Sequence, residues 1–516
     1  MQIEKEYTVG REINAIRCES VGEYSLPDYN GDVKRVLFVK AQAFPSGKFV
    51  GEETLEFSGT VGYEVVYVDG ENNVTHTEFS TDYEAAVRIN TEKYVDSDVK
   101  TEVCACNIRL VGPRKFSVKC SLDSDVRLSE RRTHSVEGDA FSEYEPEIAT
   151  NTVRIFASEC ASGEEKEFSE QIHMIEGAIA DEVEILLCDV REESLSLERT
   201  DDGVEVKANV FVDLLFKDSD NSLRRVSKEI PYTSLIACES AFDVDGAEAR
   251  LEVLGRKARV NPTDDGVDLT ASFTVVPKVY LKGNTSVEIV SDAYLKERGT
   301  ENEYSELGYM ERLFGAEYRD KFAVNHSISE LDLDGISDIL YSDASVKSEE
   351  VENDGETVKI SGEIRFSAIA CQVSDDGGNV YTSLKFSEPY VYNANLNCQN
   401  MANMRLNHAL SSSNAKIEVV NGEVEASCDV LVRIDVNSDK RQRCLGASYV
   451  TEEEYERDDS VITVYYPDAT ESLFEIAKKF HTSTVAIAES NRLTETVFAS
   501  SHKPLGTLGV GKLLIK

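Results

Sequence analysis

The sequence predicts a mainly β protein made of three tandem β-sandwich-like repeats and a small C-terminal α+β domain of strand–helix–helix–strand order. Two observations lead to this prediction. A strand pattern and its neighbours occur three times in the same order, and the hydrophobic period changes from two to a helical one beyond residue 451. We expect β domains at residues 1–132, 150–298 and 320–445, and the C-terminal domain at 460–516.

The recurring strand begins with a small residue, which is Gly59, Ala208 or Gly362. Apolar side chains then alternate with other residues, as is typical of a strand with one buried face. The alternating residues are Val61, Tyr63, Val65 and Tyr67 in the first copy, Val210, Val212, Leu214 and Phe216 in the second, and Ile364, Phe366, Ala368 and Ala370 in the third.

Three other landmarks accompany this strand in each copy. They are an upstream apolar run (36–39, 184–187 and 339–341), an element after a polar turn (78–83, 229–234 and 385–390), and a last strand (116–122, 267–273 and 424–430). Their period of about 150 residues is typical of whole domains rather than of solenoid repeats. Within the last strand, Cys120, Ala271 and Cys428 share one position, which predicts a small buried site.

The segments between the domains give weaker signals. Residues 131–140 have the composition of a polar, acidic connection, and residues 452–459 that of a solvated acidic linker. Residues 291–320 are charged and show no clean period, so both a short helix at 304–314 and an extended linker remain open for them.

The composition excludes several function classes. The chain has 516 residues and a formal net charge of −42, which repels phosphate backbones and anionic lipids. We therefore expect neither nucleic-acid binding nor attachment to a membrane surface, while a basic partner stays open. No window approaches 18 consecutive apolar residues, so membrane insertion is not expected either. The eleven cysteines lack disulfide-framework or metal-ligand spacing, and no signal peptide or long apolar window is present. A reduced, cytoplasmic protein without metal or cofactor is expected.

No catalytic motif is found. The segment 506–512 approaches a phosphate-binding loop, but it lacks the Ser or Thr after Lys512 and the helix that should follow. The seven histidines lie far apart, and paired carboxylates carry no information in so acidic a chain. The sequence therefore predicts a protein that is not an enzyme.

Beyond residue 460 the pattern changes. Residues 461–465 alternate as a strand, and Leu473, Ile476, Ala477 and Phe480 form one apolar stripe of a helix. Ser472 and Glu475 have the spacing of a capping box at its start. A second helix is expected from Ser483 to Asn491, and a last strand around Leu513 and Ile515.

Leu473, Ile476, Ala477, Lys478, Phe480, Asn491, Leu493 and the final Val510–Ile515 together resemble a LysM domain. The three repeats resemble the SPOCS domain of clostridial spore-coat proteins, through Leu26–Asp28, the Gly59 strand, the Glu78–Phe79 element, Gly112–Val118 and Ser291–Tyr294. Tandem SPOCS domains followed by LysM are similar to spore-envelope morphogenesis proteins of clostridia. The resemblance implies a non-enzymatic scaffold in the mother-cell cytoplasm, at the forespore surface. Its implied partners are the basal-layer ATPase of the coat and other coat proteins.

The LysM resemblance also implies a binding groove, lined by Thr470, Glu471, Ser472, Leu473, Glu489, Asn491 and Leu493. Carbohydrate-binding LysM domains have Gly-Asp where this chain has Thr470-Glu471. The bulk of Thr470 and a strained φ there, together with a long connection at 494–507, favour a protein ligand over glycan. Peptidoglycan or its precursors remain the alternative ligand, in a wall-binding protein. A glycan hydrolase that carries LysM for targeting is the third hypothesis.

Overall fold

The computed structural model describes residues 3–51, 53–89, 94–238, 240, 242–331, 335–353, 357–373, 378–396, 404–456, 461–494, 503–505 and 510–515. These residues form several antiparallel sheets and a few short helices. The expectation of a mainly β fold is confirmed. None of the helices in the described ranges has the length and apolar character needed to cross a bilayer.

Two three-stranded sheets form the first sheet pair. Its strands are β1 (Ile3–Ser25), β2 (Val33–Val50), β3 (Thr54–Asp69), β4 (Val74–Arg88), β5 (Tyr94–Gly112) and β6 (Lys115–Val136). One sheet has the order β1–β6–β5 and the other the order β2–β3–β4. A short helix, α1 (Asp139–Ser142), follows the pair.

The second sheet pair consists of β7 (Glu147–Ser162), β8 (Lys166–Glu176), β9 (Glu184–Thr200), β10 (Gly203–Lys217), β11 (Leu223–Ile236), β12 (Asp243–Pro262) and β13 (Gly266–Tyr294). The third consists of β14 (Arg298–Ser327), β15 (Ile336–Asn353), β16 (Thr357–Val373), β17 (Asn379–Asn395), β18 (Met404–Val420) and β19 (Glu423–Glu454). Their sheets are ordered β12–β13–β7, with β8 also on β13, β11–β10–β9, β14–β19–β18 and β15–β16–β17. The third pair thus repeats the strand order of the first, and the second pair repeats it with one additional strand, β8.

Each sheet pair encloses its own core. All twelve side chains of the predicted stripes are buried, on the middle strands β3, β10 and β16. They pack against side chains of β6, β13 and β19, including Cys120, Ala271 and Cys428, which are buried as expected. The period-two pattern therefore identified the strand that fills the centre of each pair.

The small residue that opens each stripe lies opposite a tyrosine on the next strand. The residues directly opposite in the ladder are Gly59 and Tyr83, Ala208 and Tyr232, and Gly362 and Tyr390. A Cβ atom at Gly59 would overlap the Phe44 carbonyl oxygen and the Tyr83 ring, and one at Gly362 would overlap the Lys347 carbonyl. The neighbouring strand approaches too closely for a larger side chain.

The three sheet pairs close into a head-to-tail ring. Strand β4 lies against β9, β11 against β15, and β17 against β2. Side chains from all three pairs share one central core, in which Phe38 and Val66, Leu187 and Leu215, and Tyr341 and Ile369 are ladder partners. Equivalent positions of the three pairs therefore meet at the centre. We call this arrangement the ring.

A buried polar layer lies beside this central core. Lys40 Nζ lies 3.2 Å from Asp189 Oδ2 and 3.0 Å from Asp343 Oδ2, so one ion cluster joins all three sheet pairs. Arg191 and Arg256 of the second pair approach the same Asp189 carboxylate at 2.9 and 3.5 Å. The Lys40 ammonium and the two guanidinium groups hold the pKa of Asp189 far below its ordinary value, although burial opposes this.

The long strands extend beyond the ring as three ribbons, formed by β1 with β6, β7 with β13, and β14 with β19. The ribbons pack on one another through two apolar clusters. Strand β6 includes 131–136, where we expected a connection, β14 includes 304–314, where we expected a helix or linker, and β19 continues to Glu454. The expectations for 131–136 and 304–314 are wrong, because the ribbons bury ion pairs as well as apolar groups and so lack an apolar period. Residues 452–454 of the expected acidic linker are exposed but belong to a strand, and 457–459 lie outside the described residues.

The C-terminal segment comprises β20 (Thr463–Tyr465), α2 (Leu473–Lys479), α3 (Thr484–Asn491) and β21 (Leu513–Ile515). Strands β20 and β21 form an antiparallel pair. The apolar stripe of α2 faces a core shared with α3 and β21, and Leu513 and Ile515 point into it. The predicted order of strand, helix, helix and strand is confirmed for these residues.

Candidate binding site on the C-terminal segment

The start of α2 is fixed by the predicted capping box. The Ser472 hydroxyl accepts a hydrogen bond from the Glu475 N–H at 3.2 Å, and the Glu475 carboxylate accepts one from the Ser472 N–H at 2.7 Å. Leu473 follows, and its side chain is completely buried. Two of the predicted groove residues, Ser472 and Leu473, therefore build the helix start and the core.

Glu471 is held by the strand that precedes the helix. Its two carboxylate oxygens each lie 2.8 Å from the Tyr465 hydroxyl, which donates to them, and the Asp468 N–H donates from 2.9 Å. The Asp468 hydrogen bond helps to keep the pKa of Glu471 below its ordinary value. Its backbone carbonyl accepts from the Leu505 N–H at 2.8 Å. Both the side chain and the carbonyl of Glu471 are thus engaged within the segment.

Asn491 joins the end of α3 to the last strand. Its amide nitrogen donates to the carbonyls of Ile487 and Leu514 at 2.8 and 2.7 Å, and its oxygen accepts from the Leu514 N–H at 2.6 Å. Leu493 packs on the edge of the shared core. The backbone of Arg492 between them is left-handed, with φ of 50°, and it ends the helix.

The remaining two predicted residues, Thr470 and Glu489, are exposed. The strained φ expected at Thr470 is wrong, because the described non-glycine residues with positive φ do not include it. An exposed turn accommodates the threonine in an ordinary backbone conformation. Of the long connection at 494–507, residues 495–502 and 506–507 lie outside the described residues, as do 506–509 of the loop that approaches a phosphate-binding motif.

The sequence did not reveal how the C-terminal segment is mounted. Tyr294, at the end of β13, donates its hydroxyl to the Thr482 carbonyl at 2.7 Å, and its ring lies edge-on against Phe474 at 5.1 Å. Lys478 of α2 contacts both carboxylate oxygens of Asp292 at 2.8 and 2.7 Å. We call this contact the docking contact. It attaches the segment to the second sheet pair.

A second contact holds the segment from the third sheet pair. The rings of Tyr455 and His481 stack at 3.6 Å, and the Tyr455 N–H donates to the Glu297 carbonyl. Burial lowers the pKa of His481 from its ordinary value. Tyr455 belongs to the region 452–459, which we expected to be a solvated linker. Its contacts show that this residue is packed against its neighbours. The only sequence signal for the docking contact was the Ser291–Tyr294 motif, which pointed to a family and not to a role.

The described residues include no group of three or more His, Cys, Asp or Glu side chains arranged to hold a metal ion. Lys478 and Lys479 instead contact the carboxylates of Asp292 and Glu471. The segment offers an exposed polar surface for binding, which includes Thr470 and Glu489 and is carried by α2, α3 and the turn before them.

Comparison of the chain with protein-family models gives no match, and neither curated proteins nor solved structures match it.

Proposed function

We propose that this protein is a non-enzymatic scaffold of the spore coat or envelope, in which a LysM-like C-terminal domain tethers a coat partner to the forespore surface. In this proposal the three sheet pairs are copies of one SPOCS-like domain. The observation that carries it is the mounting of the C-terminal segment on the second sheet pair, at the end of β13, through the docking contact. A rigid platform that presents a small binding unit suits a tether better than it suits a catalyst.

The repeated strand order supports the copy hypothesis. Each sheet pair places a stripe strand in the centre of one sheet and the final strand in the centre of the other. The seams of the ring are built from equivalent strands: His76 contacts Glu184 at 3.1 Å, Arg225 stacks over the Tyr341 ring, and Arg35 donates to the carbonyl of Tyr381 at 2.5 Å. A head-to-tail interface of this kind closes when its rotation permits.

The backbone of the candidate site supports a protein ligand over a glycan. The Glu471 carbonyl and the Ser472 N–H already have partners within the segment, and the carbonyls of Ala488 and Glu489 accept from Leu493 and Arg492. A sugar that relies on backbone groups would have to compete with these bonds. The exposed Thr470 and Glu489 side chains remain accessible to a partner protein's surface.

The experiment is co-precipitation of the coat basal-layer ATPase with the full-length chain. Ile476 is completely buried in α2, so an Ile476→Asp change should unfold the C-terminal segment, at a cost of several kcal/mol, and leave the sheet pairs folded. We expect recruitment to be lost. Val485 on α3 is exposed, so Val485→Asp is the matched control that should retain the partner. Recruitment that survives Ile476→Asp would contradict the tether.

Sedimentation with purified peptidoglycan tests the wall-binding alternative, which rests on the same LysM-like helices. The scaffold proposal expects the intact chain to stay in the supernatant. Retention on peptidoglycan that Ile476→Asp abolishes would favour a wall-binding protein instead.

A further inference from the structure

A cleft opens where the first and third ribbons face each other. Its volume is about 380 Å³, and residues of β1, β6, β7, β14, β18 and β19 line it. Ligand sites in proteins fall in the range of about 300–1,000 Å³. The cleft is therefore large enough for a small organic ligand or for a few residues of a peptide.

The charge of the cleft is opposite to that of the chain. Five cationic side chains line it, and Asp439 is the one carboxylate among the lining residues. The cationic residues are Arg11, Arg132, Arg405, Lys440 and Arg441. The whole chain has 96 acidic and 54 basic residues, so a wall of this composition departs from its general pattern.

Neighbouring carboxylates compensate these cations incompletely. Glu130 lies 3.0 Å from Arg132 and 3.9 Å from Arg11, so one carboxylate serves two guanidinium groups. Arg405 pairs with Asp439 at 2.6 Å, and Arg441 lies 3.6 Å from Glu306. Lys440 contacts Glu311. The five cations thus have four carboxylate partners, which leaves the wall with an excess positive charge.

The deep side of the cleft is apolar. Tyr7 and Val9 of β1 are buried there, and Ile155 of β7 contributes to the same lining. Tyr309 of β14 packs against the same cluster. A ligand with an apolar body could lie on this floor with its charged groups toward the rim.

The seam between the first and second sheet pairs provides a contrast. Its cavity measures only about 10 Å³, which is room for about one water molecule. The side chains of Arg127, Tyr280 and Lys282 line it, and they pair with Glu248, Asp98 and Glu12, which belong to both sheet pairs. The contact between the first and second sheet pairs is therefore tight, whereas the first and third ribbons leave a cleft between them.

We propose that this cleft is a binding site for an anionic ligand that bears carboxylate or phosphate groups on a small apolar body. Guanidinium groups match the planar geometry of carboxylate and phosphate oxygens, and hydrogen bonds between ionised partners are stronger than neutral ones. The site is separate from the candidate groove on the C-terminal segment, and it does not depend on the tether role.

Isothermal titration calorimetry on the full-length chain tests the site with three probes: inorganic phosphate, citrate, and the blocked tripeptide acetyl-Glu-Tyr-Glu-amide. At least one probe should bind, and the affinity should fall as salt is raised from low ionic strength, because screening weakens charge pairing. Binding of the tripeptide alone would identify a peptide segment as the ligand class. Binding of citrate or phosphate would identify a small anion.

The variants locate the binding. Arg405 and Arg441 are 67% and 80% exposed, so the double change Arg405→Gln with Arg441→Gln should leave the fold intact and weaken binding at least about tenfold. Arg11→Gln, on the facing ribbon, should also weaken binding, and Glu130 keeps Arg132 as its partner in this variant. Arg17→Gln, equally exposed but on another surface, is the control. The proposal is wrong if no probe binds, or if the bound probe is retained by both cleft variants while circular dichroism shows them folded.

Discussion

Replacing Asp189 with Asn should destabilise the protein by about 3–5 kcal/mol, the usual cost of removing one partner from a buried ion pair. Asp189 is 3% exposed, and its carboxylate faces Lys40 of the first sheet pair and Arg191 and Arg256 of the second. The Tyr341 hydroxyl of the third pair also donates to it at 3.4 Å. Asparagine keeps the shape but leaves these buried cations without their shared anion.

Asp343→Asn is the matched control, because Asp343 contacts the same Lys40 ammonium at 3.0 Å but is 36% exposed. Solvent screening should limit its effect to about 0–1 kcal/mol. A Lys40→Met change combined with Asp189→Asn should cost less than the sum of the two single changes, by about 1–3 kcal/mol, because neighbouring partners couple.

The measurement is urea unfolding at pH 7 followed by far-UV circular dichroism, since the chain has no tryptophan to report by fluorescence. The reasoning is refuted if Asp189→Asn costs less than about 1 kcal/mol, or if Asp343→Asn costs as much. Either result would mean that the ion cluster does not hold the ring together.

Three further predictions concern other contacts. Tyr294→Ala should release the docking contact at a cost of about 3–5 kcal/mol, seen as faster hydrogen exchange in α2 and α3 with unchanged exchange in the sheet pairs; unchanged exchange in the helices would refute it. Burial raises the pKa of Glu184, but a hydrogen bond with His76 and pairing with Lys217 outweigh it and lower this pKa to about 2. The ionised carboxylate therefore stabilises the fold fully above its ordinary pKa, and this stabilisation is lost as pH falls through about 2. Glu184→Gln should flatten this part of the acid dependence of urea unfolding, and an unchanged profile would contradict it. Ser472→Ala should cost the helix start about 1 kcal/mol, measured by hydrogen exchange in α2, and full protection would contradict it.

Local patterns predicted the elements that carry an unbroken apolar stripe along one face. The stripes of β3, β10 and β16 alternate because one face of each strand fills a sheet-pair core. The capping box at Ser472 was also visible, because its two partners are three residues apart. Such signals depend on neighbours in sequence, so one sequence is enough to find them.

The ribbons and the contacts between sheet pairs could not be predicted from local sequence patterns. Strand β14 carries Arg312, which is buried yet pairs with Asp435 at 2.9 Å and also contacts Asp245. From the sequence alone, an arginine at this position is expected to be exposed to solvent. Its partners Asp245 and Asp435 lie 67 and 123 residues away in the chain. These contacts of the ribbons are therefore polar and join residues that are far apart in sequence, and no hydrophobic period marks them.

The candidate site was predicted only in part. The sequence located the turn and the helix ends correctly, but it could not distinguish residues that build the fold, such as Asn491, from residues that remain exposed, such as Thr470 and Glu489. The docking contact also stayed hidden, because Tyr294 and Thr482 are 188 residues apart.

The most direct test of the proposed tether is fluorescence microscopy of the full-length chain, tagged at its N-terminus, in its own host cell during sporulation. The proposal predicts a ring of fluorescence around the forespore, together with the coat basal-layer ATPase, and loss of the ATPase from that ring in the Ile476→Asp variant. Diffuse fluorescence through the cell, or a signal confined to the outer cell wall, would contradict it.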